Sequence, residues 1–323
     1  MDNTLAVERR SIDVIPDSER HGSVRSLFTI WFSANMQITT VATGAVAVLV
    51  GAPLPWAVLG LVIGNLIGAV FMALHSAQGP KLGIPQMIQS RAQFGFYGAI
   101  IPLLLVVLMY VGFFAASGVL GGSALANWWH IGTTPATIIV AALCTVLAIY
   151  GYRLIHAYER WIALVSGLGF LYLTIRLFTK FHVGSVWHGG HFAFGTFLLV
   201  MTLAITWQIT YAPYVADYSR YLPKTTSVRA AFSWTYAGTV IGTIWMMIFG
   251  AIAASVAANA FGDGNVSFFV DLGGSGAHWL FAIIIILGVV AVNVRSSARS
   301  WRSPPRRASS LPSRTSFCSW PTS

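Results

Sequence analysis

Apolar residues run along this chain in long blocks separated by short polar strings. The blocks fall at about 27–49, 54–76, 98–123, 135–152, 160–178, 192–214, 230–258 and 278–294. Most approach or exceed the roughly 20 residues that a helix needs to cross a bilayer. Each is read as a helix, because lipid cannot satisfy open backbone groups. The pattern therefore predicts an all-α integral membrane protein with about eight transmembrane helices. Residues 1–26 are polar and are read as a disordered cytoplasmic arm. Span 1 is too long for the apolar core of a cleavable signal peptide.

Composition agrees with this reading. The chain is 56% hydrophobic and 9% charged, with a mean hydropathy of +0.72, whereas a soluble domain is roughly 25% charged. The basic residues set the orientation. With the N-terminus inside, Arg9, Arg10, Arg20, Arg25, Lys81, Arg91, Arg153, Arg160, Arg220, Lys224 and Arg229 fall on inner segments, and only Arg176 and Lys180 on outer loops. Eleven against two, before the tail is counted, is a strong positive-inside asymmetry. It predicts a multi-pass cell-membrane protein with a cytoplasmic N-terminus. The net charge of +10 is then no nucleic-acid footprint, since residues 295–323 alone hold six arginines and no acid. Cys144 and Cys318 form neither a disulfide framework nor a metal motif.

The tail breaks the pattern. Residues 295–323 contain ten Ser, six Arg and four Pro. One reading is a disordered basic tail beside anionic lipid. The favoured reading is an out-of-frame product, because Asn293 lies in a span that stops early. The expected division is an arm at 1–26, an incomplete transmembrane domain at 27–294 and this tail at 295–323.

Polar residues inside the spans carry the candidate chemistry. Span 1 reads Trp31-Phe32-Ser33-Ala34-Asn35-Met36-Gln37. Amides at mid-membrane depth are costly unless paired, so Asn35 or Gln37 either binds substrate or ion, or bonds a neighbouring helix. Span 2 carries Gly60, Gly64 and Gly68, a small-residue face for close helix packing. The Gly79–Gly95 segment holds two prolines and three glycines, which forbid one continuous helix and fit either a connector or a gate. Span 3 places Phe113 and Ser117 one turn apart. Span 6 reads Thr206-Trp207-Gln208-Ile209-Thr210-Tyr211-Ala212-Pro213. Aromatic faces and an amide together suit a planar heterocycle. Asp217 and Arg220 follow, three residues apart, where span 6 leaves the membrane. Gln37-Ile38-Thr39 recurs as Gln208-Ile209-Thr210, five spans later. Such an echo fits inverted five-helix repeats with broken helices at matching places.

Trp31–Gln37, Gly83–Gly95 and above all Tyr214–Pro223, with its Asp-Tyr-Ser-Arg-Tyr core, resemble the nucleobase–cation symporters, in their purine–cytosine permease branch. The resemblance runs from about residue 20 to 294. It implies ten core helices in two inverted five-helix repeats, the amino-acid/sodium transporter-like fold, of which the second repeat is incomplete here. It also implies a substrate site between spans 1, 3, 6 and 8. The span 3 contacts would be Phe113 and Ser117, both departures from the family's usual Trp and amide. The stacking aromatic of span 6 would be Trp207 or Tyr211. Asn293 would be the first of two span 8 asparagines, with the second falling in the tail.

The expected activity is secondary active import of cytosine or a purine with a cation, Na⁺ or H⁺, by alternating access. No other cofactor, no metal centre and no nucleic-acid partner is expected. The alternatives are a truncated fragment that transports nothing, and a carrier of another small heterocycle such as allantoin, a hydantoin or a vitamin-like compound. A membrane-embedded enzyme is disfavoured, since the spans hold no nucleophile–base pair and no metal cluster.

Overall fold

The chain is seen as a computed structural model that describes residues 13–150, 152–258, 266–274, 279–286 and 288–289. Described helices occur on all eight predicted spans. Span 1 is a pair, α1 (Ser26–Ala34) and α2 (Ile38–Leu49). Then come α3 (Leu54–Leu82), α4 (Gln86–Gly98), α5 (Ile100–Trp129), α6 (Thr133–Tyr150) and α7 (Tyr152–Lys180). They are followed by α8 (Phe194–Ile209), the short α9 (Ala216–Ser219), α10 (Val228–Val256), α11 (Ser267–Leu272) and a helical stretch at 279–286. Among the described residues α3, α5 and α10 are each long and apolar enough to cross a membrane, and the α1–α2 pair makes a fourth crossing. Residues 1–12 and 290–323, and so Asn293 and the tail, lie outside the described residues.

Span 1 bends by 59° between its two halves. The residues at the break repair it themselves. Asn35 Nδ2 donates to the Trp31 carbonyl at 2.8 Å, and Gln37 Nε2 donates to the Ala34 carbonyl at 2.9 Å. Both carbonyls would otherwise lack a partner in the apolar interior. Span 6 breaks at the matching place, as the five-helix repeat predicts. Its helix ends at Ile209, five residues short of the predicted 214. Pro213 has no N–H for the Ile209 carbonyl, and its ring disfavours helical backbone at Ala212. The chain goes on in tight turns, with Tyr211 N–H on the Gln208 carbonyl at 3.2 Å and Ala212 N–H on the Ile209 carbonyl at 3.0 Å.

Two expectations need correction. The arm is not wholly disordered, since Asp13–Arg25 follows a fixed path. Ile15 is buried, and its N–H donates to the Gly83 carbonyl at 2.9 Å. Arg20 Nη1 donates to the Pro80 carbonyl at 2.6 Å, and His21 N–H to the Tyr221 carbonyl at 2.8 Å. A polar composition hid a single anchoring isoleucine and an arginine that caps the end of α3. The Gly79–Gly95 segment is also mostly helical. Helix α3 runs through Pro80 to Leu82, stops at left-handed Gly83 (φ 66°), and α4 restarts after Pro85. The predicted interruption is thus three residues wide, at 83–85, with a second kink at Gly95 (φ 73°) inside α4.

At the centre, α10 packs against α1, α2 and α3, and α3 packs against α8. Small residues allow this. A Cβ on Gly68 would come within 2.9 Å of Ile205 Cα and Gln208 Cβ, and one on Gly250 would meet the Val41 carbonyl oxygen. Backbone therefore lies on backbone at these crossings, the close approach expected of the span 2 glycines.

Candidate functional site

The two helix breaks meet at Asn35. Its Oδ1 accepts from Trp207 Nε1 and from Tyr211 OH, each at 3.0 Å. Asn35 is fully buried, and Trp207 and Tyr211 nearly so. One amide thus holds both span 6 aromatics, which the sequence left as alternatives. The Phe113 ring stands edge-on to Trp207, with centroids 5.7 Å apart and planes at 73°. Trp31, one turn before Asn35, packs among Tyr211, Tyr214 and Tyr218 at 5.5, 6.2 and 5.3 Å. Tyr110 of α5 reaches Tyr214 at 5.7 Å. Helices α1, α5 and α8 so place aromatic rings around a single buried amide.

Gln208 points elsewhere. Its Nε2 donates to Asn65 Oδ1 at 2.8 Å and to Thr243 Oγ1 at 3.1 Å, and its Oε1 accepts from Thr239 Oγ1 at 2.7 Å. Asn65 Nδ2 donates in turn to the Leu61 carbonyl at 2.9 Å. All four side chains are fully buried. This second cluster ties α8 to α3 and α10 and uses both ends of the Gln208 amide. Ser76 and Thr235 extend it by a hydroxyl pair at 2.7 Å.

The remaining predicted residues are dispersed. Gln37 lies at the break, with its Nε2 on its own turn. The Ser117 hydroxyl donates back to the Phe113 carbonyl at 2.5 Å. Asp217 Oδ1 accepts the backbone N–H of Gln86 at 2.8 Å, at the start of α4, where a carboxylate is favoured by the exposed amides and the helix dipole. Buried Arg220 donates from Nη2 to Tyr221 OH at 3.2 Å and reaches the Asp13 carbonyl at 3.5 Å.

Sequence reasoning passed over Asn65, Thr239 and Thr243. A signal was present. Asn65 follows Gly64 in the middle of span 2, and Thr235, Thr239 and Thr243 recur every four residues along span 7. That spacing puts three hydroxyls on one helix face.

Among the described buried side-chain atoms that lack a hydrogen-bond partner, three oxygens lie close in sequence at the first break. Gln37 Oε1, Thr39 Oγ1 and Thr40 Oγ1 are buried and have no hydrogen-bond partner among the described residues. Buried acceptors normally find a donor. Oxygen groups beside an unwound helix are also what a hard cation takes as ligands.

Comparison with known proteins points one way. A family model described as permease for cytosine/purines, uracil, thiamine, allantoin matches residues 14–301. A putative purine-cytosine permease of Bacillus subtilis is 44% identical over 290 residues, covering 90% of this chain and 63% of that protein. A purine-cytosine permease of Saccharomyces cerevisiae is 30% identical over 269 residues, covering 79% of this chain and 50% of its own length. The chain therefore spans between half and two thirds of these relatives. Among solved structures, an inward-facing conformation of Mhp1 superposes with a TM-score of 0.75 at 18% identity, over 90% of this chain and 66% of the other. Mhp1 in a closed conformation with bromovinylhydantoin bound gives 0.73 at 17%, over 91% and 68%. At that identity the likeness is one of fold.

Proposed function

Because this chain belongs to the family of permeases for cytosine/purines, uracil, thiamine and allantoin, we propose that it serves as a secondary active transporter that imports a nucleobase together with a cation by alternating access. One observation carries the reading. Asn35 fixes two span 6 aromatics at the point where both broken helices meet, with Phe113 alongside. Broken helices at matching places in two repeats are where transporters of this architecture build their sites. A flat heterocycle stacks on Trp207 or Tyr211, and Phe113 borders the same space. Asn35 acts as the residue that sets the ring orientation. Gln208, with its amide engaged by Asn65, Thr239 and Thr243, holds the bundle behind the site. Asp217 and Arg220 position the inner end of span 6. The purine-cytosine permeases among the relatives support cytosine or a purine as cargo.

In this reading the coupling cation is assigned to the first break. Gln37 Oε1, Thr39 Oγ1 and Thr40 Oγ1 supply neutral oxygens, which suit Na⁺ better than a proton. The N-terminus faces the cytoplasm in this reading, from the positive-inside asymmetry.

Uptake of labelled cytosine, adenine and hypoxanthine into a permease-deficient host tests the whole. Uptake of at least one base is expected, and it should follow an imposed Na⁺ gradient. A stacked base contributes roughly 1–3 kcal/mol on aromatic platforms. Replacing Trp207 or Tyr211 by Ala should thus weaken binding about ten- to a hundredfold for the ring that stacks, at about 1.4 kcal/mol per decade. If neither change weakens binding while membrane insertion holds, the patch is packing. Absence of uptake by the unmodified chain would favour a fragment that transports nothing.

A further inference from the structure

Away from the breaks, a groove of about 350 Å³ opens between the basic ends of α3 and α10, lined by Leu74, Ala77, Val228, Arg229, Phe232 and Ser233. Its chemistry is two-sided. Leu74 and Val228 are about half exposed, and Phe232 is partly buried. Arg229 is exposed and has no ion-pair or hydrogen-bond partner among the described residues. Ser233 lies one turn from it on the same face of α10. No carboxylate lines the groove. Two further cations stand at this end, since Lys81 Nζ donates to the Lys224 carbonyl at 3.1 Å, which brings Lys81 beside the Lys224 backbone.

An apolar trail leads away from the groove along α3. Ile67, Phe71 and Leu74 are 43%, 49% and 51% exposed. They are spaced four and three residues apart and so form one stripe, about 10 Å long at 1.5 Å per residue. A soluble anion has no use for such a stripe, whereas an acyl chain does. Basic pockets between transmembrane helices on the side richer in Lys and Arg are known to suit anionic headgroups.

We infer that this groove binds one anionic phospholipid, with its phosphodiester on Arg229 and an acyl chain along Leu74, Phe71 and Ile67. The bound lipid lies across the α3–α10 crossing, the same two helices that Gln208 joins deeper in the bundle. It therefore braces the helix that carries Thr239 and Thr243.

The test uses the purified full chain in a neutral detergent. It is titrated separately with phosphatidylglycerol, phosphatidylcholine and glycerol 3-phosphate. Binding is followed by native mass spectrometry and the melting temperature is measured in parallel. Phosphatidylglycerol should bind and raise the melting temperature, and the other two should do neither. Arg229→Gln should weaken phosphatidylglycerol about fivefold, the equivalent of ~1 kcal/mol for one basic residue near an anionic surface. Arg229→Lys should recover most of that loss. Leu74→Trp, which fills the groove and leaves the charge alone, should weaken it as well. Equal binding of phosphatidylcholine would overturn the headgroup assignment. Equal binding of glycerol 3-phosphate would reduce the groove to a phosphate site. Unchanged affinity in both Arg229→Gln and Leu74→Trp would place the lipid elsewhere.

Discussion

Helices α10 and α5 are almost equal in length, at 29 and 30 residues, and both are apolar enough to span a membrane. Yet 67% of the apolar window of α10 is buried and only 17% of that of α5, although α5 is the more apolar of the two. In water the order would be reversed. In lipid, leucine gains nothing by leaving the tails, so burial follows small and hydrogen-bonding residues instead. Helix α10 offers Gly238, Gly242 and Gly250 for backbone contact and Thr235, Thr239 and Thr243 for bonds. Helix α5 leaves Leu103, Leu104, Leu105 and Leu108 open among the described residues. The rule holds even within α5, whose buried positions include Ser117, Gly118, Gly121, Gly122 and Ala124.

Three substitutions probe this contrast. The largest effect is expected at Gly250, where any side chain would run into the Val41 carbonyl. Gly250→Leu should exceed the roughly 1–3 kcal/mol of an overpacked core, because the obstacle is backbone. Size-exclusion chromatography in detergent should show loss of the monodisperse protein. A normal profile would mean that α10 is not held by close contact with α2.

Gln208→Leu comes next. It removes three bonds to Asn65, Thr239 and Thr243. At about 0.6 kcal/mol per interhelical bond in membranes, the loss is about 2 kcal/mol. Thermal unfolding of the inserted protein should show it. A gain in stability would mean that the cluster serves the cargo at a cost to the fold. The smallest effect belongs to the leucine face, where Leu104→Ala should stay within about 0.5 kcal/mol of the parent. A loss as large as that of Gln208→Leu would erase the difference between the two helices.

The helix breaks were legible because single residues cause them. Asn35, Gln37 and Pro213 announce themselves in any apolar run. What the sequence could not give is the rotation of each helix about its axis. Trp207 and Gln208 are neighbours in the chain and read as one patch, yet they project to opposite clusters, one to Asn35 and the other to Asn65. The Gln-Ile-Thr echo was likewise a guide to the repeat and not to the chemistry. Gln37 sits in its break, while Gln208 lies in the helix before its own and bonds across to α3 and α10. Ile15 was lost for a simpler reason. A single apolar residue in a polar arm carries no periodicity, and its backbone bond goes to Gly83 at the far end of α3.

A carbonyl oxygen has two lone pairs, and at Asn35 both are taken by donors from α8 and the turn that follows it. The two breaks are therefore coupled mechanically. Shifting α1 without its counterpart would strand an indole N–H or a phenol O–H away from water, at roughly 1–3 kcal/mol for each orphaned group. Bending at span 1 and bending at span 6 are thus linked through these two bonds. A joint of this kind links a tilt at either end to the Trp207 and Tyr211 rings, so both aromatic faces are tied to the helices around them.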